Sequence, residues 1–524
     1  MCGIAMIVGD GVRANDLDPL MAAIRGRGEV DERMAVSGAV AGTQRLRIVD
    51  RECAIQPWLS YDGRSLLCFN GEIFNHGDLR AELRALGHEF RTESDTEVVS
   101  VAFSEWGADA VRRFRGEFAY ALLDLRSREV YLARDPVGVK PLYYAWRHGR
   151  FHVASEVKAL VGLGVSIAEV GPGQHGTTIG ESGPVLVPHF DLFDDLRRLG
   201  PIDDPTEAIG QIRSVMEDAI SIRVDTDLPV GVILSGGLDS SLVLAKVHQR
   251  HPDCVAFTIG RPGSEDLEYA RRLTSDLGVR HEVITMAPTQ IRLQQIRDAI
   301  RVGELTEYGD VINAVVSLPL FARVRESGIK VVLTGDGSDE LFGGYPMYHE
   351  VGDREGERLF AHKLRNLGRT ELQRVDRSSM GQGVEARVPF LDKEMVSLAM
   401  RIPLTMKISG AEEKWLVREA FADVLPEYIL RRPKSGMSYS SGLHDRARLF
   451  KPWFPRLHRS FSYDLCAPIQ RDFDSLLAAV DNDLELALAA GALRRDYVVS
   501  ERARDLVGAL RWNLESAIRE KVGQ

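Results

Sequence analysis

The segment GVILSGGLDSSLVLAKVHQRH (231–251) restricts the architecture of this chain more than any other. Its apolar start reads as a buried strand, its glycines as a tight turn, and the periodic run after them as a helix. Such a unit belongs in a parallel sheet, because parallel neighbours need long crossover connections, usually helices. The surroundings repeat the pattern. TEAIGQIRSVMEDAISIRV (206–224) and LEYARRLTSDLG (267–278) read as helices, and CVAFTIG (254–260) and IKVVLTG (329–335) as strands. The alternation predicts an α/β doubly wound, mostly parallel sheet. From about 394 onward the chain reads mainly helical, which gives this half a helical C-terminal part.

Before residue 187 the grammar differs. CGIAMIVG (2–9), SLLCFNGEIFN (65–75), EFAYALLDL (117–125), EVYLARD (129–135) and GRFHVASE (149–156) read as strands, several in hairpins. Two helical stretches, GDLRAELRALG (77–87) and TEVVSVAFSEWGADAVRRF (96–114), interrupt them. Strands packed on strands with helices outside predict a layered α+β domain. The Pro- and Asp-bearing stretch 187–206 reads as a linker. The expected domains are 1–190 and 205–524, and 524 residues are too many for one ordinary core.

The net charge of −10 argues against a large basic surface for nucleic acid. No apolar run approaches the ~20 residues that span a bilayer, and the N-terminus lacks the pattern of a signal peptide. Five cysteines (Cys2, Cys53, Cys68, Cys254 and Cys466) form no CxxC pair. That composition predicts a reducing, cytoplasmic setting with no disulfide framework or zinc site.

Two places carry chemistry. Removal of the initiator methionine would leave Cys2 with both a thiol and a free α-amine. An amine of pKa about 8 beside a thiol of pKa about 8.5 can act as its proton acceptor. A cysteine there could equally be a small buried residue. The second place is SGGLDSS (235–241), where a helix N-terminus and converging N–H groups after a strand suit phosphate. Gly236 and Gly237 permit close approach, and Ser235, Ser240 and Ser241 add hydroxyls. A later loop, TGDGSDELFGGY (334–345), follows a strand and carries Asp336, Asp339 and Glu340. Magnesium takes one or two carboxylates along with phosphate oxygens, so such a loop suits a magnesium-bound phosphate; a solvated acidic turn is the plain alternative.

These segments resemble a known family. CGI at the terminus, RLRIVD (45–50), FNGEIFNH (69–76), SDTE (94–97) and RDPVGVKPLYYA (134–145) occur in the order of the class II, N-terminal-nucleophile glutamine amidotransferases. SGGLDSS resembles the loop of ATP pyrophosphatases. MGQGVEARVPFLD (380–392), EEKWLVREAF (412–421) and LPEYILRRPKSGM (425–437) are similar to the synthetase domain of glutamine-hydrolysing asparagine synthetases. The resemblance implies Cys2 as nucleophile and Arg45 and Asp95 on the glutamine carboxylate and ammonium. Asn70 and Gly71 become oxyanion donors, with Glu72 completing the pocket. It implies Asp239 and Asp339 as Mg2+ ligands, Asp336 as an acid supporting adenylation, and Lys434 as the cation on the phosphates. Glu340 reads as structural. Ile233, Ile259, Thr334 and Gly335 fall where the family holds adenosine. One departure stands out. The family carries His-Arg-Gly-Pro-Asp, whereas this chain has GRGEVDE (26–32), in which Arg27 and Gly28 align and the His and Pro are missing. Glutaminase efficiency and coupling between the halves are open on that account.

The implied reaction uses glutamine, ATP and a carboxylate acceptor, with aspartate the family's usual one. Amidation of another carboxylate, a non-catalytic nucleotide-binding regulator, and a glutaminase with a nucleotide-sensing second half are the alternatives. The acceptor pocket is not legible by motif, although ELTEYGDVIN (304–313) lies where the family builds it. The stretch beyond about 440 matches the family poorly and reads as a variable helical cap, with a role in acceptor choice as the alternative. A homodimer is the commonest prior for a soluble oligomer.

Overall fold

The computed structural model describes residues 2–443 except 179–182, 306–307, 346–347, 349–359, 362, 411 and 436–439. The tail beyond residue 443, expected to be a variable helical cap, lies outside the described residues.

The N-terminal half places two antiparallel sheets face to face. The first runs in the order Ala168–Glu169, Tyr143–Arg147, Arg150–Ala154, Cys2–Val8, Ala39–Arg45, Val30–Val36. The second runs Pro184–Pro188, Gln174–Thr178, Val130–Arg134, Gly116–Asp124, Ser65–Ile73, Trp58–Leu59. Side chains alternate along each strand. Cys2, Ile4, Met6 and Val8 pack against Leu66, Cys68, Ala119 and Ala121 between the sheets. Ala5 and Ile7 face outward to Leu17, Leu20 and Met21. On the other outer face, Leu79, Leu83, Val98 and Val99 cover Phe69, Phe118 and Tyr120. The result is the layered α+β arrangement expected, with helices outside two packed sheets.

The predicted helix 96–114 is shorter than its periodicity suggests. It spans Asp95–Trp106, capped at its start by Ser94, whose side chain accepts from Thr96 N–H. Gly107 then adopts φ +62°, and a 3-10 turn carries the chain to Arg113. Glycine permits the positive φ with which the chain leaves the helix. Within the stretch read as linker, Asp194–Leu199 forms a short helix.

After it, the described strands form one all-parallel sheet in the order Arg280–Thr285, Val255–Gly260, Val230–Ile233, Val331–Leu333, Glu385–Arg387. The helices Pro205–Arg223, Leu238–Arg250 and Glu265–Leu277 fall where the periodicity places them. Strand order reverses beside Val230–Ile233, the switch point at which ligands bind in such sheets. The short helices Lys393–Arg401, Leu404–Lys407, Trp415–Ala420 and Glu427–Leu430 follow the sheet.

Buried ion pairs join the N-terminal sheets to this second half. Glu117 meets Arg223 at 3.0 Å, Arg223 meets Asp392 at 2.7 Å, and Asp392 meets Arg115 at 3.0 Å. Each charge is matched, as burial demands.

Candidate active sites

Cys2 begins the central strand of the first sheet, and its register partner there is Arg45. Asn70, on the facing sheet, accepts the Cys2 backbone N–H at 3.0 Å through Oδ1. Asn70 is fully buried, and its Nδ2 has no hydrogen-bond partner among the described residues. An unmatched buried amide donor beside a thiol is what an oxyanion would satisfy. Gly71 follows at φ +151°, and a Cβ there would lie 2.2 Å from Glu117 O and 2.5 Å from Phe118 Cα. Asn-Gly often makes a hairpin turn, but Asn70 and Gly71 lie inside the strand Ser65–Ile73. Gly is required by the close approach of the neighbouring strand.

A solvent-open cleft of about 340 Å3 lies over the thiol, lined by Cys2, Arg45, Gly71, Glu72 and Asp95 among others. Burial pushes the Cys2 thiol up, opposed by the Leu46 backbone and the Arg45 charge. Arg45 is oriented by Glu32 at 2.9 Å. Burial likewise raises Asp95, although Ile73 N–H donates to it at 3.1 Å. A substrate ammonium is the charge that such a carboxylate lacks. Glu72 lines the cleft and pairs with Arg387 of the parallel-sheet half. Sequence reasoning missed Gln56. Its Nε2 stands 3.9 Å from Cys2 Sγ and 3.1 Å from Thr96 Oγ1, and its Oε1 accepts from Phe69 N–H at 2.9 Å. A loop glutamine in CAIQPW offers no periodic signal.

The second site lies at the switch point. Ser235–Gly237 turn from the strand Val230–Ile233 into the helix Leu238–Arg250, and Gly236 takes φ +72° against Tyr269 and Ala270. The hydroxyls of Ser235 and Ser240 lie 3.1 Å apart. Ser241 is fully buried inside the helix packing, and its hydroxyl has no partner among the described residues. Gly335 brings the second loop against the first: a Cβ there would lie 2.8 Å from Ser240 N. Ser338 donates to Asp239 at 2.7 Å across the same junction. Ile233 and Thr334 sit at adjoining strand ends, half-buried and buried respectively. Ile259 packs in the core behind them.

Asp239 and Asp339 each place one oxygen on the Lys414 ammonium, at 2.5 and 2.6 Å, and Lys434 also pairs with Asp339. Burial lowers the Lys434 pKa, but Asp339 and Asp239 outweigh it and hold the group charged. Among the described residues no group of three or more His, Cys, Asp or Glu side chains gathers for a metal. Two carboxylates sharing one cation nevertheless fit Mg2+, which completes its shell with phosphate oxygens and water. Asp336 stands apart from this pair and accepts from Arg374 at 2.9 Å. Glu340 is buried, bonded to Tyr345 and pushed up to about 8 by burial, then by Glu371 and Asp339, in keeping with a structural role. Lys414 and Arg374 were not singled out in sequence. Lys414 lies inside EEKWLVREAF, where the motif could have pointed to it.

Residues 1–173 match the family model described as glutamine amidotransferase domain, and 211–359 and 351–464 match that of asparagine synthase. The chain is 35% identical over 460 residues to asparagine synthetase [glutamine-hydrolyzing] 3 of Arabidopsis thaliana, covering 82% of this chain and 77% of that one. It is 35% identical over 430 residues to asparagine synthetase B [glutamine-hydrolyzing] of Escherichia coli, covering 78% and 76%. The chain belongs to the glutamine-hydrolysing asparagine synthetase family. A relative from Sandersonia aurantiaca is similar at the same identity, over 76% of this chain and 78% of its own. ATP use follows from membership of the asparagine synthetase family. No helix among the described residues is long and apolar enough to cross a membrane.

Proposed function

We propose that the two sites divide the family's reaction between them, in domains of residues 1–190 and 205–524. The Cys2 site hydrolyses glutamine, and the site at the parallel sheet uses the ammonia to convert aspartate to asparagine with ATP. The observation that carries the reading is the cleft over Cys2 that gathers Arg45, Gly71, Glu72 and Asp95.

With the initiator methionine removed, the Cys2 α-amine takes the thiol proton, and sulfur adds to the glutamine side-chain amide. Asn70 Nδ2 and the Gly71 N–H hold the oxyanion. Arg45 and Asp95 hold the substrate's carboxylate and ammonium, and Glu72 completes the pocket. The α-ammonium passes that proton to the leaving nitrogen, neutral ammonia departs from the tetrahedral carbon to leave a thioester, and water cleaves the thioester to glutamate and free thiol. In the second site the aspartate β-carboxylate attacks the α-phosphorus of ATP and pyrophosphate departs. Ser235, Gly236, Gly237 and Ser240 cradle the phosphates, with Ser241 supporting the loop from within the helix. Ile233, Ile259, Thr334 and Gly335 shape the adenosine pocket. Asp239 and Asp339 would hold Mg2+, which neutralises phosphate charge when bound. Asp336 supports formation of the aspartyl-adenylate, and Lys434 balances charge as ammonia displaces AMP.

A homodimer in the cytoplasm is the accompanying assignment. It is supported by the commonest oligomeric symmetry and by the unpaired cysteines among the described residues. Mass spectrometry of a mixture of glutamine, Mg-ATP and aspartate tests the function. Asparagine, AMP and pyrophosphate that appear only with aspartate are expected. Glutamate without pyrophosphate would overturn the aspartate reading and leave a glutaminase.

A further inference from the structure

The altered GRGEVDE loop is built into the contact between the two halves. Arg27, buried at 1% exposure, donates from Nε to the backbone carbonyl of Cys2 at 3.1 Å. Its two terminal nitrogens grip both oxygens of Asp376, at 2.7 and 3.0 Å, and one also reaches Glu156 at 2.8 Å. Asp376 belongs to the helix Glu371–Met380 of the second half, the helix that also offers Arg374 to Asp336. Arg377 donates to the same Asp376 oxygen at 2.8 Å.

The flanking glycines serve the same contact. A Cβ on Gly26 would lie 2.9 Å from the carbonyl oxygen of Gly381, just past the end of that helix. A Cβ on Gly28 would lie 2.3 Å from the Gln44 carbonyl carbon, beside Arg45. Loop, helix and glutamine-site strand thus meet at backbone distance, and Arg27 is the side chain clamped between them.

We propose that Asp376 is a positioning residue for glutamine hydrolysis: by fixing the Arg27 fork, it holds the Cys2 backbone from the synthetase half. A guanidinium is planar, so a bidentate carboxylate on its Nη pair sets the direction of Nε as well. Cys2 needs such a tether. Once the methionine is removed it has no preceding residue, and its carbonyl is the backbone group that the Arg27 Nε holds. The thiol is then placed against Asn70 by contacts from both sides.

This inference rests on the reading of Cys2 as the glutaminase nucleophile. The test compares full-length wild type, Asp376→Asn, Arg27→Lys and Cys2→Ala for glutamine hydrolysis and for ammonia-dependent synthesis. Asp376→Asn is expected to lower kcat for glutamine at least tenfold with KM changed less than twofold, while the ammonia-dependent rate stays within twofold. Arg27→Lys keeps the charge but loses the fork, and should reproduce that split even if Asp376→Asn does not fold. Wild-type kcat in either soluble variant, or an equal loss of both activities, would overturn the proposal. Glutamine hydrolysis surviving in Cys2→Ala would overturn the nucleophile reading itself.

Discussion

Asp239 and Asp339, from different loops of the parallel sheet, are held together by the Lys414 ammonium at 2.5 and 2.6 Å. Lys414 is 2% exposed, while the Asp239 and Asp339 side chains keep 13% and 16% exposure. Among the described residues, Lys414→Met leaves the two neighbouring carboxylates with Lys434 on Asp339 and the Ser338 hydroxyl on Asp239. Removing one partner of a buried ion pair costs about 3–5 kcal/mol, and the remaining lysine places the expected loss near the lower end. Urea unfolding should show that loss in metal-free buffer. Millimolar Mg2+ should restore more stability to the variant than it adds to wild type. Equal Mg2+ effects on the two proteins would separate this carboxylate pair from cation binding.

Cys2→Ala separates the two half-reactions. Glutamine-dependent asparagine formation should fall below detection, while synthesis from added ammonium stays within about twofold of wild type, because no group of the second site is touched. Loss of both activities would contradict two independent sites. Stability should change little, since alanine also fits a small buried position.

Gly71→Ala should fail for a different reason. Its added Cβ would lie 2.2 Å from Glu117 O at φ +151°, so the strand pair Ser65–Ile73 and Gly116–Asp124 must move. Backbone strain and overpacking each cost about 1–3 kcal/mol, and thermal unfolding should show a destabilisation of about 3 kcal/mol. A normal melting temperature with glutaminase lost would make the glycine purely a matter of the site.

Much of this was legible because local pattern and local structure agree. The segment after GVIL has one reasonable conformation, and the strand–turn–helix forms as the periodicity requires. The Cys2 strand alternates between two cores, which the sequence shows only as an apolar run. The conformation of Gly71 is set by Glu117 on the next strand, a contact that no local pattern announces. The strand Glu385–Arg387 is three residues long and carries no periodic signal. Arg27 and Asp376 lie 349 positions apart, so nothing in either neighbourhood announces their pairing. Lys414 stands within a motif legible in the sequence, but its pairing with Asp239 and Asp339 depends on two loops that the fold brings together.

The residue after Gly28 also joins the two halves. Glu29 accepts from Lys330 at 2.7 Å and lies 3.3 Å from Arg325, both in the second half. Burial acts to raise its pKa, but these cations prevail and hold it at about 2, below the ordinary 4.5. A carboxylate with a depressed folded-state pKa binds its proton more weakly in the native state than in the unfolded chain. Its stabilisation is therefore complete above about pH 4.5 and is lost as pH falls toward about 2. Partial exposure and screening reduce the effect to about 1 kcal/mol. Glu29→Gln should lower stability by that amount at neutral pH. Its unfolding free energy should then fall less steeply than that of wild type as the solution is acidified below about pH 4.5. Parallel acid profiles for the two proteins would mean that Glu29 does not help to join the halves, leaving Arg27 as the loop's contribution there.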